Sequence, residues 1–518
     1  MTEQGSSVKS EPVQGFPLAR VWRVPYNPVD FYILRGSSAG GASANRKGQP
    51  SSGHYPGGRK VIKRRHLSGL AILCAALVLA SLSPRQAAQA QQAAPAAGQQ
   101  AAAQPSYSLP EYNLLQAASA EKDPSARLKL LDAFVAQYPN STLMQYIYQL
   151  YYQAYYQLKN IPKAIEYTDK VLALGDKADV AQKVTAVQSR MQLFATPGYF
   201  SPTAPDAHDQ LTKQRDAALL GVKLLPDLKK SNPKVTDDQV KALQSGLEGA
   251  AGQADMLLKE YPAAIEAFKA QLALNQSDPV ANYRLGVSYL LSTPAQSLDG
   301  FWALARAVDL KVQETDKVKD YLRKAMVSYQ QPNCDSLIDS QMKALLDLAA
   351  NAPDRPSTWS IPSAADIQKV AQSSTIITVI SDLSGGGDKA TLTWLAICGA
   401  EFPEVIGKII DVRKSDNFVD IMVFTSASSD EIAAATTANM DVKVWTAAPP
   451  TGTAGTIVPQ PDVARVQKDD EIRFSGTLVS YDPSPFMLHW DSVKVDPSTI
   501  PEKGGATKRP PRKLTPKQ

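Results

Sequence analysis

A chain of 518 residues is too long for one hydrophobic core, so two or more folded units are expected. Its composition, 44% hydrophobic and 20% charged, is that of globular protein, and 37 prolines require long non-helical stretches. The net charge of +5 hides an uneven distribution: 11 Lys/Arg against 3 acids in residues 1–66, six bases and no acid in 503–518, and 37 bases against 47 acids in 91–502, a body of −10. Such a body does not attract a polyphosphate backbone at long range, which argues against nucleic acid as its ligand.

Residues 1–60 are rich in Gly, Ser, Pro and Arg without periodicity. They read as a disordered leader, or as a mis-annotated start that lies too early. Residues 61–90 have the three parts of a signal peptide: the basic Lys63, Arg64 and Arg65, an apolar run from Leu67 to Leu82, and the small-x-small Ala88-Gln89-Ala90. The run is short for a membrane span of about 20 residues. An uncleaved type II anchor with its basic flank in the cytoplasm is the alternative. Cys74 sits in mid-run and reads as part of it. The expected location is exported, periplasmic or cell envelope. Residues 91–109 form a Gln/Ala/Pro-rich linker.

From 110 to 350 Leu, Ala, Tyr, Lys, Glu and Gln dominate, and helical pairs recur. Residues 125–143 read as one helix stopping near Tyr138-Pro139. In 150–174 a helix carrying Tyr151, Tyr155 and Leu158 meets a turn at Asn160-Ile161-Pro162. A second helix with Ala164, Ile165, Thr168 and Val171 follows. In 249–279 Gly252 precedes the turn at Tyr261-Pro262, and Ala264, Phe268 and Leu272 lie beyond it. In 281–310 Leu285-Gly286 with Tyr289 opens the pair, and Gly300, Leu304, Ala307 and Leu310 lie in its second helix. Residues 315–349 hold one or two more helices. Five prolines interrupt 196–245, which is an irregular insertion or an atypical repeat.

These pairs resemble tetratricopeptide repeats (TPR), a resemblance carried by Ala264, Phe268, Pro279, Leu285, Gly286, Tyr289 and Ala307. It implies stacked helix pairs and a protein or peptide partner bound along them. Asp255 departs from it, placing a charge where the family has a core aromatic.

Residues 351–374 read as a linker with a short helix at 363–373, and 375–500 as a β-rich domain. Strands are expected at 375–380, 391–398, 407–412, 418–424, 440–445, 471–480 and 486–495. Within 471–480 the side chains of Ile472, Phe474, Gly476, Leu478 and Ser480 share one face. Within 486–495 Met487, His489, Asp491, Val493 and Val495 share one parity. From 407 to 496 the pattern resembles an OB-fold, with another small barrel or sandwich as the competing reading. The fold class expected is therefore an all-α helical repeat solenoid (TPR-like) followed by a small all-β OB-like barrel.

Catalytic chemistry finds no support. The chain beyond residue 90 has two histidines, His208 and His489, and lacks HExxH, GxSxG and any ligand cluster. The Gly-rich 384–389 lacks phosphate-loop spacing and reads as a turn between two strands. His489 and Asp491 on one strand are a weak pair. No catalytic, cofactor-binding or metal residue is assigned, no cofactor is implied, and an enzyme is not expected. Cys334 and Cys398 have no CxxC spacing; they pair after export or remain free thiols. The expected function is a non-enzymatic protein–protein interaction scaffold of the cell envelope. The alternatives are an accessory protein or hydrolase acting through the β-domain, and nucleic-acid binding by that domain. The basic tail, 501–518, is expected to be disordered, with weak contact to anionic membranes as its possible role.

Overall fold

The computed structural model describes residues 106–448 and 458–502. The expected leader, the signal segment, most of the 91–109 linker and the basic residues of the tail lie outside them. The described chain forms two compact units. One runs to Asn160 and includes Thr196–Pro202; the other holds Ile161–Ala195 and everything from Thr203 on. The division falls inside the 150–174 stretch that reads as one repeat.

Among the described residues the first unit has three helices, α1 (Leu109–Ala120), α2 (Pro124–Gln137) and α3 (Met144–Gln157). Their starts are encoded locally. Ser108 and Glu111 form a reciprocal capping box, and the Asp123 carboxylate accepts from the N–H groups of Ser125 and Ala126. Prolines in both first turns have no N–H to leave unsatisfied. Helix α2 packs on both neighbours and buries Leu131 and Phe134 completely. The Tyr151 hydroxyl donates to Asp132 Oδ1 at 2.5 Å.

The second unit opens with α4 (Ile161–Ala173), α5 (Val180–Phe194), α6 (Ala207–Ser231) and α7 (Asp237–Leu258). Then come α8 (Tyr261–Leu274), α9 (Pro279–Leu291), α10 (Ser297–Asp309), α11 (Thr315–Gln330) and α12 (Ile338–Asn351). Each of these helices packs on the next in the chain, and α7 also meets α9. The repeat glycines stand where helices cross closely. A Cβ on Gly252 would lie 2.9 Å from the Phe268 ring, and one on Gly286 would lie 2.8 Å from Leu304 and 3.0 Å from the Gly300 carbonyl. The proline-rich stretch divides: 196–206 is irregular, with Thr196–Pro202 belonging to the first unit, whereas α6 runs through Pro226 for 25 residues and packs on the 22-residue α7.

The region between repeats and barrel corrects the expectation. Residues 375–380 and 391–398 are not strands, and 384–389 does not join two strands. They belong to α14 (Ile376–Gly385) and α15 (Gly387–Ile397), preceded by α13 (Ala364–Ser373). The run of β-branched residues favours a strand, but Ile376, Val379, Ile380 and Leu383 also fit i, i+3, i+4, i+7. Thr375 and Thr378 form a capping box that starts a helix, and Gly386 at φ +70° ends it. The β-rich region therefore begins at Glu401, not 375.

Five strands follow: β1 (Glu401–Lys414), β2 (Phe418–Phe424), β3 (Met440–Trp445), β4 (Glu471–Pro483) and β5 (Phe486–Val495). They close into a barrel in the order β1-β2-β3-β5-β4. The β3–β5 pair is parallel and the others are antiparallel. Strand β1 starts six residues before the expected 407. It needs that length because its first half pairs with β4 and its second with β2, so that one strand closes the sheet and leaves no open edge. Alternation places Val419, Ile421, Val423, Val442, Val444, Ile472, Phe474 and Leu478 inside. Each large apolar side chain so buried contributes about 1.5–3 kcal/mol. Ser480, which shares the parity of Ile472, Phe474 and Leu478, is exposed. On β5 the single parity fails. Leu488 and Trp490 are buried, Ser492 takes φ +53°, and Val493 and Val495 are then buried in their turn. The left-handed residue inserts one position and flips the face.

Candidate functional site

Three places carry polar chemistry. The first lies where α6, α7 and α8 meet. Asp255, which breaks the repeat pattern, is 3% exposed, with Arg215 at 3.7 Å. Burial pushes its carboxyl up to about 6, although the Arg215 charge pulls the other way. Arg215 also holds Glu260 at 2.9 Å and Asp216 at 3.0 Å. Nearby in the array, buried Arg190 meets Asp169 at 3.2 Å, and burial raises the Asp169 carboxyl. These groups tie helices together and present no nucleophile to solvent.

The second place is the outer face of β2, β3 and β5. Inward alternation of Val419, Ile421 and Val423 leaves Phe418, Asp420 and Met422 outward, and the same rule turns Asp441, Lys443 and Trp445 outward. Phe418 and Trp445 are cross-strand partners in edge contact, with ring centroids 5.5 Å apart. The Lys443 ammonium lies 4.8 Å over the Phe418 ring. Two residues along, the face turns acidic. His489 Nε2 is 2.9 Å from Asp482 Oδ2, and Nδ1 is 3.4 Å from Asp441 Oδ2. Burial raises the Asp420 carboxyl, and the Asp441 charge adds to that.

The weak pair that His489 and Asp491 make on one strand is not what forms. Asp491 accepts from the Ser492 N–H at 2.6 Å, whereas the imidazole sits between carboxylates from β3 and β4. Both partners escaped sequence reasoning because strand order, not spacing, brings them together. Among the described residues, both ring nitrogens face carboxylates and no hydroxyl or thiol joins them, so the imidazole links β5 to β3 and β4 and lacks the nucleophile of a catalytic triad. Groups of three or more ligating side chains able to hold a metal are absent among the described residues.

The third place is the connection between repeats and barrel. Residues 352–363 are strapped to α10. Arg355 Nε donates to Asp299 at 2.7 Å, Trp359 packs edge-on against Trp302 at 5.8 Å, and Trp302 Nε1 donates to the Pro353 carbonyl at 3.4 Å. Helix α13 packs on α11. Cys334 and Cys398 form a disulfide with a Cα–Cα distance of 5.7 Å. Of the two readings of these cysteines, the structure supports pairing.

Neither a family model nor a curated protein matches the sequence. Among solved structures the chain is similar to a thermophilic TPR protein of Thermus thermophilus, at 17% identity over 42% of this chain and 99% of that one, with a TM-score of 0.21. It is also similar to the C-terminal part of a TPR repeat-containing protein of Cytophaga hutchinsonii, at 15% identity over 46% and 91%, with a TM-score of 0.21. The repeat architecture rests on the helix pairs and their glycine crossings. The described chain is a set of helical repeats resembling TPR proteins, followed by a closed five-stranded barrel.

Proposed function

We propose that the protein is a non-enzymatic interaction scaffold of the cell envelope that binds a peptide or protein segment along its helical repeats. The observation supporting this reading is the unbroken succession of packed helices from α4 to α12. Such an array offers one extended surface made of repeated units. Within it buried Arg190 faces Asp169, and buried Asp255 faces Arg215. The signal segment at 61–90 supports export. The test is chemical crosslinking of the full chain in cell-envelope fractions, with N-terminal sequencing of the recovered protein. Crosslinks from 161–351 to a single partner are expected, together with an N-terminus at Gln91. A monodisperse chain without crosslinks would refute the scaffold. An N-terminus upstream of residue 61 would refute cleavage.

A second reading assigns ligand binding to the barrel. Its strand order, with β3 parallel to β5, supports an OB-fold. The Phe418–Trp445 pair beneath Lys443 offers an aromatic platform with one cation. Asp420, Asp441 and Asp482 beside it oppose a polyanion, so an uncharged envelope glycan suits this face better than nucleic acid. Titration of tryptophan fluorescence with soluble glycans, repeated with Trp445→Ala, tests it. Equal responses from both proteins would remove the platform from consideration.

A further inference from the structure

We propose that the Cys334–Cys398 disulfide is a redox-controlled latch that couples the repeat array to the barrel, and that its reduction frees the barrel end without unfolding either part.

The argument starts from where the two cysteines stand. Cys334 lies in the turn between α11 and α12, and Cys398 is the residue directly after α15, three before β1 begins. The bridge therefore joins the last repeat to the threshold of the barrel across 64 residues of sequence. The same turn makes two further contacts there. The Asn333 backbone N–H donates to the Leu395 carbonyl at 3.2 Å, and its side-chain amide donates to the Ala396 carbonyl. Those carbonyls belong to the last turn of α15, which has no intrahelical donors left for them. A residue of the repeats thus caps a helix of the barrel region.

The α13–α15 segment is held at two ends by different means. At its entry the hold is non-covalent and extensive: the Arg355–Asp299 ion pair, the Trp302–Trp359 contact and the packing of α11 on α13. At its exit the cross-connections through the α11–α12 turn are the disulfide, the two Asn333 hydrogen bonds and the packing of Leu337 on the barrel-side core. The barrel has its own closed set of ladders and its own core, shared with α13–α15. Loss of the bridge therefore removes a connection between parts and leaves the interior of each intact.

The chemistry suits reversible opening. Cys334 is half-buried, while Cys398 is 6% exposed among apolar side chains. A dithiol reductant attacks Cys334 Sγ as the thiolate. The S–S bond breaks, a mixed disulfide forms on Cys334, and Cys398 leaves and takes up a proton. The second thiol of the reductant then displaces Cys334, which leaves as a thiol. The protein gains two electrons and two protons, and the reductant departs as its own disulfide.

The reporter is the Asn333 amide, whose hydrogen bond crosses the junction. Hydrogen exchange is measured by mass spectrometry on the full chain, oxidised, reduced with dithiothreitol, and as Cys334→Ser and Cys398→Ala. Peptides spanning 331–337 and 395–400 are expected to exchange at least about tenfold faster in the reduced and variant proteins. Peptides covering β2, β3 and α10 are expected to stay protected in all four. Unchanged exchange at 331–337 would overturn the latch, because the junction would then hold without the bridge. Loss of protection across β2 and β3 would also overturn it, since the bridge would be holding the fold itself. Free thiols at both positions in protein recovered directly from the cell envelope would show that the latch does not form where the protein works.

Discussion

Repeats and barrel solve the problem of burying apolar surface by opposite routes. Between α4 and α12 each helix packs on its chain neighbour, so its core comes from residues a few tens of positions away. In the barrel β1 must find β4, with Glu401 opposite Thr477, before its inner face is covered. Local construction is tolerant: an odd repeat such as α6–α7, or a charge such as Asp255, is absorbed where it stands. Closure is not tolerant, because a strand out of register leaves the whole sheet open. The repeats should therefore yield piecewise to mutation, and the barrel as a whole.

The largest expected effects test that contrast directly. Phe474 is fully buried in the barrel and meets Trp490 edge-on at 5.5 Å. Phe268 is equally buried between α7 and α8. Phe474→Ala and Phe268→Ala should each cost about 3–5 kcal/mol. In urea, Phe474→Ala should shift one sharp barrel transition, while Phe268→Ala should broaden the helical one because neighbouring interfaces uncouple. Circular dichroism and tryptophan fluorescence follow the two. A sharp helical transition in Phe268→Ala would erase the distinction.

A smaller effect probes the close crossing of α9 and α10. Gly286→Ala should destabilise by about 1–3 kcal/mol, because the new methyl meets the Gly300 backbone carbonyl, which cannot rotate away, as well as Leu304. A midpoint within error of the parent would show that these helices have slack.

Asp255→Asn acts in the other direction. Its carboxyl is harder to ionise in the folded chain than in the unfolded one, about 6 against 3.8. A raised acid favours the fold while protonated, below about pH 4. That advantage is lost as pH rises through 6, and above it the buried charge is a cost. The amide removes the cost, so the variant should gain about 1–2 kcal/mol at pH 7.5 and nothing at about pH 3. Thermal melts at the two pH values decide it, and an equal shift at both would mean that ionisation is not the cause.

The smallest effect lies outside both regions. Residues 503–518 carry six bases and no acid, each worth about 1 kcal/mol at an anionic membrane at low salt. Deleting them should reduce sedimentation with anionic vesicles at low salt and change nothing at high salt. Equal sedimentation of both forms at low salt would exclude the tail from membrane contact.

Local rules made much of the fold readable from the residues. The end of α2 at Tyr138 and the glycines at 252, 286 and 300 are decided within one helix pair, and the alternation in 418–424 and 440–445 assigns inner and outer faces strand by strand; the turn expected at Tyr261-Pro262 falls just ahead of it, because a proline fits the first turn of α8. What the sequence could not determine was whatever depends on a distant partner. The β-branched residues of 375–380 satisfy helix and strand periods alike; the Thr375 capping box favours the helix locally, and packing against α15 and the barrel core buries its Val379 and Leu383 face. His489 lies between Asp441 and Asp482 because β3, β5 and β4 are neighbours in the barrel, an order that no spacing along the chain encodes. Cys334 and Cys398 meet because a turn of the last repeat caps α15. Propensity and periodicity act over a few residues, whereas strand order, ion-pair partners and disulfide pairing are set by the closure of long loops, and so belong to the tertiary structure.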